Sequence, residues 1–221
     1  MKIKEFENIS EANKALCKQI LKDIAVSNQE VGRTNILLSG GSTPGPLYEL
    51  LNRNISNFSS IHFGLVDERF VPNKDETSNE NLIRSKLSNL QHFTGLLFDD
   101  QDYQHNLKLA VERNNDFLER TDILILGMGG DGHIASLFPN DASSTEGLLT
   151  NDVTYINTQA PVTPIKRISC TKTVIKNTQR VYLLISGEEK REVLENENLN
   201  LPIHTILKEL KNLTIYYAAN K

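Results

Sequence analysis

The sequence contains no tryptophan, only two cysteines, and no apolar run near the ~20 residues that a membrane-spanning helix requires. Cys17 and Cys170 stand far apart, with no C-x-x-C pair and no histidine at metal-ligand spacing. That pattern favours reduced thiols over a disulfide framework or a zinc site. The N-terminal segment turns polar after six residues, so we expect no signal peptide. These absences predict a cytoplasmic protein that does not enter a membrane.

Neither sign of charge dominates the 221 residues. The 24 Lys and Arg residues and 28 Asp and Glu residues give a formal net charge of -4, which argues against non-specific nucleic-acid binding. No linker, repeat or low-complexity tract divides the chain, so we expect residues 1–221 to form a single domain. We predict no nucleic-acid or membrane partner, and a monomer or a weak dimer.

Short apolar runs alternate with helix-like patterns along most of the chain. Such runs are typical of strands that are buried on both faces of a parallel sheet. They lie at residues 35–38, 61–66, 123–126, 181–185 and 213–219. Strands that alternate with helices indicate a parallel sheet with helices on both sides. We therefore expect a single-domain, three-layer α/β/α fold with a mostly parallel, Rossmann-like sheet.

Several local predictions accompany this fold. A first strand is expected at residues 2–6, followed by a helix whose N-cap is Ser10. Residues 91–102 look irregular, and residues 103–118 have the apolar spacing of one helix. Residues 140–164 are predicted to be rich in loops, with one candidate short strand at residues 153–157.

The apolar run that ends at Leu126 enters a loop with four glycines in six positions. Glycine permits positive φ and lets a ligand approach the main chain. Asp131 and His133 lie in this loop beside Gly130, at the carboxyl end of a strand, where open α/β sheets bind ligands. A histidine that titrates near neutrality is the natural base for activating water. We interpret this loop as the catalytic centre. The alternative is that His133 has no catalytic role and only makes hydrogen bonds within its own loop.

A second glycine-rich turn, Ser-Gly-Gly-Ser-Thr-Pro at 39–44, follows another apolar run. Pro44 suits the first turn of a helix, and the N–H groups at a helix N-terminus favour anions. The hydroxyls of Ser42 and Thr43 can add hydrogen bonds. We predict an anion site at this turn; a capped strand-to-helix turn without a ligand is the alternative.

Three charged residues, Asp67, Glu68 and Arg69, follow the third apolar run directly. Parallel strands place their end loops along one edge, so these charges would join the two glycine loops, with Arg167 and Lys190 as further cations. Such a set can hold an anionic, polyhydroxylated ligand and perform proton chemistry on it. A solvated strand exit is the alternative interpretation of the three charges.

One motif in the central loop is misleading. Residues 127–132 satisfy the G-x-G-x-x-G pattern of dinucleotide-binding folds, but that fold needs a full helix next. Pro139 falls seven residues after Gly132 and interrupts any such helix. The sequence also lacks the G-x-S-x-G and H-E-x-x-H motifs. These observations argue against a nicotinamide cofactor, a serine hydrolase and a structural zinc enzyme.

Together these motifs resemble the signature blocks of 6-phosphogluconolactonases. The blocks are Gly-Gly-Ser-Thr-Pro at 40–44, Val-Asp-Glu-Arg-Phe-Val-Pro at 66–72 with Ser-Asn at 78–79, and Gly-Met-Gly-Gly-Asp-Gly-His-Ile-Ala-Ser-Leu-Phe-Pro at 127–139. Arg167 and the Ser-Gly-x-x-Lys run at 186–190 fit later blocks, so the resemblance covers nearly the whole chain in order. After Arg167 the family usually has Ile-Thr-Leu-Thr, where this chain has Ile-Ser-Cys-Thr.

The resemblance implies hydrolysis of 6-phospho-D-glucono-1,5-lactone to 6-phospho-D-gluconate in the oxidative pentose phosphate pathway, without a metal or organic cofactor. His133 would be the general base, and Asp131 would orient it. Arg69 would bind the phosphate or stabilise developing charge, and Asp67 would bind sugar hydroxyls. The other substrate-binding residues that the resemblance implies are Gly41, Ser42, Thr43, Gly130, Arg167 and Lys190.

Two other functions remain open at the level of sequence. Glucosamine-6-phosphate deaminases and isomerases share the Gly-x-x-x-Asp-Gly-His core, but there a Phe-Asn-Glu-Pro type run follows, whose Glu takes part in catalysis. Here residues 135–139 contain no acid, and the next acid is Asp141. A sugar-phosphate sensor would need phosphate anchors but no base, so the pairing of Asp131 with His133 argues against it.

Overall fold

Two β-sheets organise the chain in a computed structural model that describes residues 2–220. The strands are β1 (Lys2–Asn8), β2 (Thr34–Leu38), β3 (Ile61–Leu65), β4 (Asp67–Arg69), β5 (His92–Thr94), β6 (Ile123–Leu126), β7 (Tyr155–Gln159), β8 (Lys166–Cys170), β9 (Arg180–Ser186) and β10 (Leu213–Asn220). The α-helices are α1 (Ile9–Val31), α2 (Gly45–Asn54), α3 (Asn79–Lys86), α4 (Tyr103–Arg113), α5 (Asn115–Glu119), α6 (Ala142–Leu149), α7 (Lys172–Asn177), α8 (Glu188–Glu195) and α9 (Pro202–Glu209).

The large sheet has seven strands in the order β1-β10-β9-β6-β2-β3-β5, and every neighbouring pair is parallel. Its central strands β2 and β6 are buried along their whole length, which explains why their sequences are continuous apolar runs rather than alternating patterns. Helices connect and flank these strands. The predicted α/β fold with a mostly parallel sheet is confirmed.

The strand order reverses direction between β2 and β6. From β2 the chain proceeds to β3 on one side, whereas from β6 it proceeds to β9 and β10 on the other. At such a switch point the loops after the two strands diverge and leave a crevice at the carboxyl edge, which is where open α/β sheets bind ligands. The two glycine-rich loops predicted to bind and act on a ligand are the loops that follow β2 and β6.

The small sheet has three antiparallel strands in the order β4-β8-β7. A single residue, Val66, separates the end of β3 from the start of β4, so the chain passes directly from the large sheet into the small one. In the register of β4 and β8, Asp67 lies opposite Ser169 and Arg69 lies opposite Arg167. The small sheet therefore brings charged residues from distant parts of the chain to one edge of the large sheet.

The first helix begins earlier than predicted. Strand β1 extends to Asn8, and the side chain of Asn8 accepts a hydrogen bond from the N–H of Glu11 at 3.0 Å. The prediction that Ser10 is the N-cap was wrong, because Ser10 already lies inside α1. Asparagine and serine cap helices about equally well, so the sequence alone could not separate the two positions.

Three other local predictions need correction. Residues 91–102 contain the short edge strand β5, and residues 140–164 contain α6, whose N-cap is Asp141. The segment 103–118 forms two helices rather than one, and the chain bends at Asn114 between them. The side chain of Asn114 donates to the carbonyl oxygens of Gly95 and Ala110, so it competes with the continuous helical pattern.

Candidate active site

A cavity of about 200 Å³ lies at the switch point of the large sheet and is also lined by residues of the small sheet. Its walls come from the loops after β2 and β6, from β4 and β8, and from the N-terminal turns of α3 and α8. Of the residues predicted from the sequence, those that line the cavity are Gly41, Ser42, Thr43, Asp67, Arg69, His133, Arg167 and Lys190. Gly130 and Asp131 lie outside this lining, and Asp131 reaches the cavity only through His133.

The loop after β6 folds back tightly on itself. The N–H of Gly129 donates to the carbonyl oxygen of His133 at 3.0 Å, and the N–H of Gly132 donates to the carbonyl oxygen of Gly129 at 3.1 Å. A Cβ on Gly129 would lie 2.2 Å from the His133 ring and 2.6 Å from the Asp131 carboxylate. Position 129 therefore requires glycine, because any side chain would displace the acid and the imidazole.

Within this loop His133 and Asp131 form a hydrogen-bonded pair. Nδ1 of His133 lies 2.6 Å from Oδ1 of Asp131, and this bond to the imidazole is the main cause that lowers the pKa of the carboxyl group. An ionised carboxylate can only accept hydrogen bonds, so Nδ1 of His133 carries a proton in this contact, and in the neutral tautomer Nε2 is the acceptor atom. The Phe138 ring packs against the imidazole with centroids 4.7 Å apart. The two contacts hold the imidazole ring in one orientation at the cavity wall.

The loop after β2 supplies backbone and hydroxyl groups. Gly41 adopts φ +98°, a conformation that favours glycine, and Ser42 and Thr43 follow it into the cavity wall. Helix α2 begins at Gly45 without a side-chain cap, so its first N–H groups can serve an anion. The buried hydroxyl of Tyr48 donates to the carbonyl oxygen of Ser39 at 2.5 Å and anchors the loop from below.

Glu68 takes no part in the cavity, although it lies between two residues that do. Its buried carboxylate accepts hydrogen bonds from the N–H groups of Arg69, Asn79 and Glu80, each at 2.7 Å, and from the hydroxyl of Ser78 at 3.1 Å. Burial raises the pKa of Glu68 to about 7, against the opposing effect of these three N–H groups. Glu68 therefore ties the start of α3 to β4, which is a structural role.

Two arginines, Arg69 and Arg167, face each other across the β4–β8 pair. Burial lowers the pKa of Arg167, and the neighbouring charge of Arg69 lowers it further. Nε of Arg167 donates to the carbonyl oxygen of Pro164 at 2.7 Å, whereas Nε of Arg69 is buried without a hydrogen-bond partner among the described residues. The neighbouring carboxylates of Asp67 and Glu68 act in the opposite direction on the pKa of Arg167 and offset part of the repulsion between the two guanidinium groups. The pair is suited to bind a phosphate, to which arginine donates several hydrogen bonds at once.

Sequence reasoning did not single out several residues of the cavity wall. The amide of Asn79 donates to the main-chain carbonyl of Asp67 at 2.8 Å, and the hydroxyl of Ser136 donates to its carboxylate at 2.6 Å. Both residues fall inside the motif blocks, so their positions were visible but their orientations were not. Ser136 follows Ala135, whose left-handed conformation (φ 53°) is unusual for a residue other than glycine. No spacing rule anticipates that turn.

Other features of the described residues bear on the candidate chemistry. Among residues 2–220, no three His, Cys, Asp or Glu side chains are grouped so that they could hold a metal ion. Cys17 and Cys170 are both buried and not disulfide-bonded. Within the same range no helix combines the length and the apolar character needed to cross a membrane.

Comparison with known proteins gives a consistent result. The family model described as glucosamine-6-phosphate isomerases/6-phosphogluconolactonase matches residues 7–215. A 6-phosphogluconolactonase from Helicobacter pylori is 32% identical over 228 residues, which cover 98% of this chain and 97% of the relative. A 6-phosphogluconolactonase from Caulobacter vibrioides is 32% identical over 80% of each chain. The crystal structure of a 6-phosphogluconolactonase from Shewanella baltica superposes with a TM-score of 0.89 at 28% identity and covers 100% of this chain and 98% of that one.

Proposed function

The chain belongs to the glucosamine-6-phosphate isomerase/6-phosphogluconolactonase family, and from this premise we propose that it is a 6-phosphogluconolactonase. Its reaction is the hydrolysis of 6-phospho-D-glucono-1,5-lactone to 6-phospho-D-gluconate in the oxidative pentose phosphate pathway. The observation that carries this proposal is that His133, paired with Asp131 at 2.6 Å, lines the same cavity as Arg69 and Arg167. A base and an anion site in one cavity suit a phosphorylated substrate that is attacked by water.

The phosphate binds on the cationic side of the cavity. Arg69 and Arg167 offer two guanidinium groups, and Lys190 lines the same cavity together with the hydroxyls of Ser42 and Thr43. A phosphate dianion between the arginines compensates their mutual repulsion and gives the unpartnered Nε of Arg69 an acceptor. Phosphate binding at this end places the lactone ring between the arginines and the glycine loop after β6.

His133 acts as the general base on a water molecule. As Nε2 takes one proton from the water, its oxygen forms a bond to C1 of the lactone, and the carbonyl becomes a tetrahedral oxyanion. The bond between C1 and the ring oxygen then breaks, and the proton on His133 passes to that oxygen, which becomes the C5 hydroxyl. The new carboxylic acid releases one proton at neutral pH. Asp131 holds the imidazole in the tautomer that the first step needs.

The position of Asp141 supports lactone hydrolysis over amino-sugar deamination. Asp141 is the first acid after His133, and its carboxylate accepts hydrogen bonds from the N–H and the hydroxyl of Ser144 at 2.8 and 2.6 Å. Because it caps α6, it does not supply the second acid that the deaminases of this family use after their histidine. A sensor, in turn, has no need of an imidazole held in one tautomer.

Proton release on addition of freshly prepared 6-phosphogluconolactone tests the proposal, with the uncatalysed reaction measured alongside. We expect rapid acidification by the wild type and a loss of about 10²- to 10⁴-fold in kcat for His133→Ala, since a positioned base supplies that much. The matched control is His105→Ala. His105 forms the same kind of pair with Asp99, at 2.8 Å, but lies outside the cavity, so its loss should leave kcat unchanged.

Each other outcome has a definite meaning. If the wild type only matches the spontaneous rate, the lactonase proposal is wrong, and release of ammonia from glucosamine 6-phosphate becomes the next assay. If His133→Ala remains as active as the wild type, the lactonase function stands but His133 is not the base. If the variant loses turnover yet still binds 6-phosphogluconate with unchanged affinity, the proposed division between base and phosphate site is supported.

A further inference from the structure

A buried hydrogen bond joins the two sheets at the cavity. The hydroxyl of Ser136 donates to Oδ2 of Asp67 at 2.6 Å, across 69 positions of sequence, and both residues line the cavity. Ser136 is 1% exposed and Asp67 is 7% exposed. Hydrogen bonds from a hydroxyl to an ionised carboxylate are short and about twice as strong as neutral ones. The bond therefore fixes one carboxylate oxygen and, with it, the plane of the whole group.

The main chain of Ser136 is held as firmly as its hydroxyl. Its N–H donates to Oγ of Ser169 at 3.1 Å, and its carbonyl oxygen accepts from Oγ1 of Thr158 at 2.7 Å. Ser169 lies opposite Asp67 in the β4–β8 register, and the left-handed Ala135 turns the chain toward this position. Ser136 is thus held in place by hydrogen bonds to two strands of the small sheet.

Oδ2 of Asp67 accepts from Ser136 and the main-chain carbonyl of Asp67 accepts from Asn79, whereas Oδ1 has no hydrogen-bond donor among the described residues. A carboxylate oxygen can only accept hydrogen bonds, so Oδ1 is open to a donor on a ligand. Its natural partner is then a hydroxyl group of the ligand. The positive charge of Arg167 also attracts this carboxylate, so without Ser136 the group could turn toward the arginines.

We propose that Ser136 is a positioning residue that keeps the Asp67 carboxylate directed at the hydroxyl groups of the phosphorylated substrate and away from the arginine pair. The inference rests on the proposed function and deepens it, because it divides recognition of the substrate into two parts. The arginines recognise the phosphate, and Asp67 as held by Ser136 recognises the polyol.

The test compares Ser136→Ala with the wild type by kinetics and by calorimetric titration. For Ser136→Ala we expect KM for the lactone and Kd for 6-phosphogluconate to rise about 10-fold, while kcat stays within about 3-fold, since uniform binding is lost. Kd for inorganic phosphate should change less than about 2-fold, because phosphate alone does not reach Asp67. In the Asp67→Ala background the further change Ser136→Ala should raise KM by less than about 2-fold.

A control variant distinguishes the loss of Asp67 positioning from the general effect of removing a buried serine hydroxyl. Ser27→Ala removes a fully buried serine of α1 whose hydroxyl lies 3.5 Å from Nη1 of Arg180, outside the cavity. It should leave KM and Kd unchanged. Equal weakening of phosphate and 6-phosphogluconate by Ser136→Ala, or the same effect of this change with and without Asp67, would overturn the inference.

The two proposals fail in different ways. If the wild type neither hydrolyses the lactone nor binds 6-phosphogluconate, the proposed function fails. If the wild type does both and Ser136→Ala keeps the wild-type KM and Kd, only the positioning role is wrong.

Discussion

The two walls of the cavity differ in the kind of backbone that forms them and in the groups that they offer to a ligand. The wall that belongs to the large sheet consists of loops after β2 and β6, and it offers N–H groups, hydroxyls and one imidazole among glycines. The wall that belongs to the small sheet consists of β4 and β8, and it offers the charged side chains of Asp67, Arg69 and Arg167. The geometry of the first wall requires glycines, which have no side chain. The second wall consists of charged side chains that two paired strands place next to one another.

This difference suggests that the two walls contribute differently to catalysis and to substrate binding. Loops at the ends of parallel strands can bring the main chain close to a reacting atom, but only where no Cβ intervenes. An antiparallel pair instead fixes the spacing of side chains directly opposite one another. We therefore expect kcat to be most sensitive to substitutions beside His133 in the loop after β6, and affinity to be most sensitive to substitutions of the arginines in the small-sheet wall.

The largest effect is expected from the large-sheet wall, for Gly129→Ala. Because the new Cβ would lie 2.2 Å from the His133 ring, the imidazole must move, and we expect kcat to fall about 100-fold or more. The comparison variant is Gly130→Ala, where a Cβ meets no atom within 4 Å and where the residue does not line the cavity. Its kcat should stay within about 3-fold. Steady-state kinetics measure kcat for both variants. Similar losses of kcat in the two would contradict the argument that a Cβ at position 129 displaces the His133 ring.

An intermediate effect is expected from the small-sheet wall, for Arg167→Ala. Loss of one charged hydrogen-bonding group to the phosphate costs about 1.5–3 kcal/mol, so KM should rise roughly 10- to 100-fold, with a smaller change in kcat. The melting temperature should change little, because the relief of repulsion with Arg69 offsets the loss of the hydrogen bond to Pro164 and of the attraction to Asp67. Arg53→Ala, at an exposed position in α2, is the control for KM. A clear loss of thermal stability at unchanged KM would mean that Arg167 is structural.

The smallest effect is expected far from both walls, for Asn8→Ala at the start of α1. Loss of an N-cap typically lowers the free energy of unfolding by about 1 kcal/mol, and kcat and KM should remain those of the wild type. Urea denaturation measures the difference. Ser10→Ala should have much less effect, since Ser10 is exposed inside the helix. The reverse ranking of the two variants would show that the cap is at Ser10 after all.

The sequence predicted the large-sheet wall better than the small-sheet wall, for a physical reason. Strands buried on both faces need continuous apolar runs, so β2, β6 and β9 can be recognised from the sequence. Strand β4 reads Asp-Glu-Arg, because its side chains face a polar cavity and the start of a helix rather than the core. A strand that lines a binding site has no apolar signature to recognise.

The orientation of individual side chains was also beyond the sequence. The segment Asp67 to Arg69 contains two residues that face the cavity and one, Glu68, that caps α3 from inside the protein. Alternation along a strand would suggest this division only once the segment is known to be a strand. The contact of Ser136 with Asp67 depends on tertiary packing and on the conformation of Ala135, neither of which a motif encodes.

The edge of the large sheet has a consequence for the order in which the protein is assembled. Among the strands of residues 2–220, β1 pairs with β10 alone, and the contact of Lys4 with Tyr216 spans 212 positions of sequence. Strand β10 also separates β1 from β9, so the first strand to be synthesised is joined to the sheet through the last. Contacts of such separation form after the long loop between them has closed. We therefore expect residues 2–8 to join the large sheet only after residues 213–220 have been synthesised, since β10 is the strand that links β1 to β9.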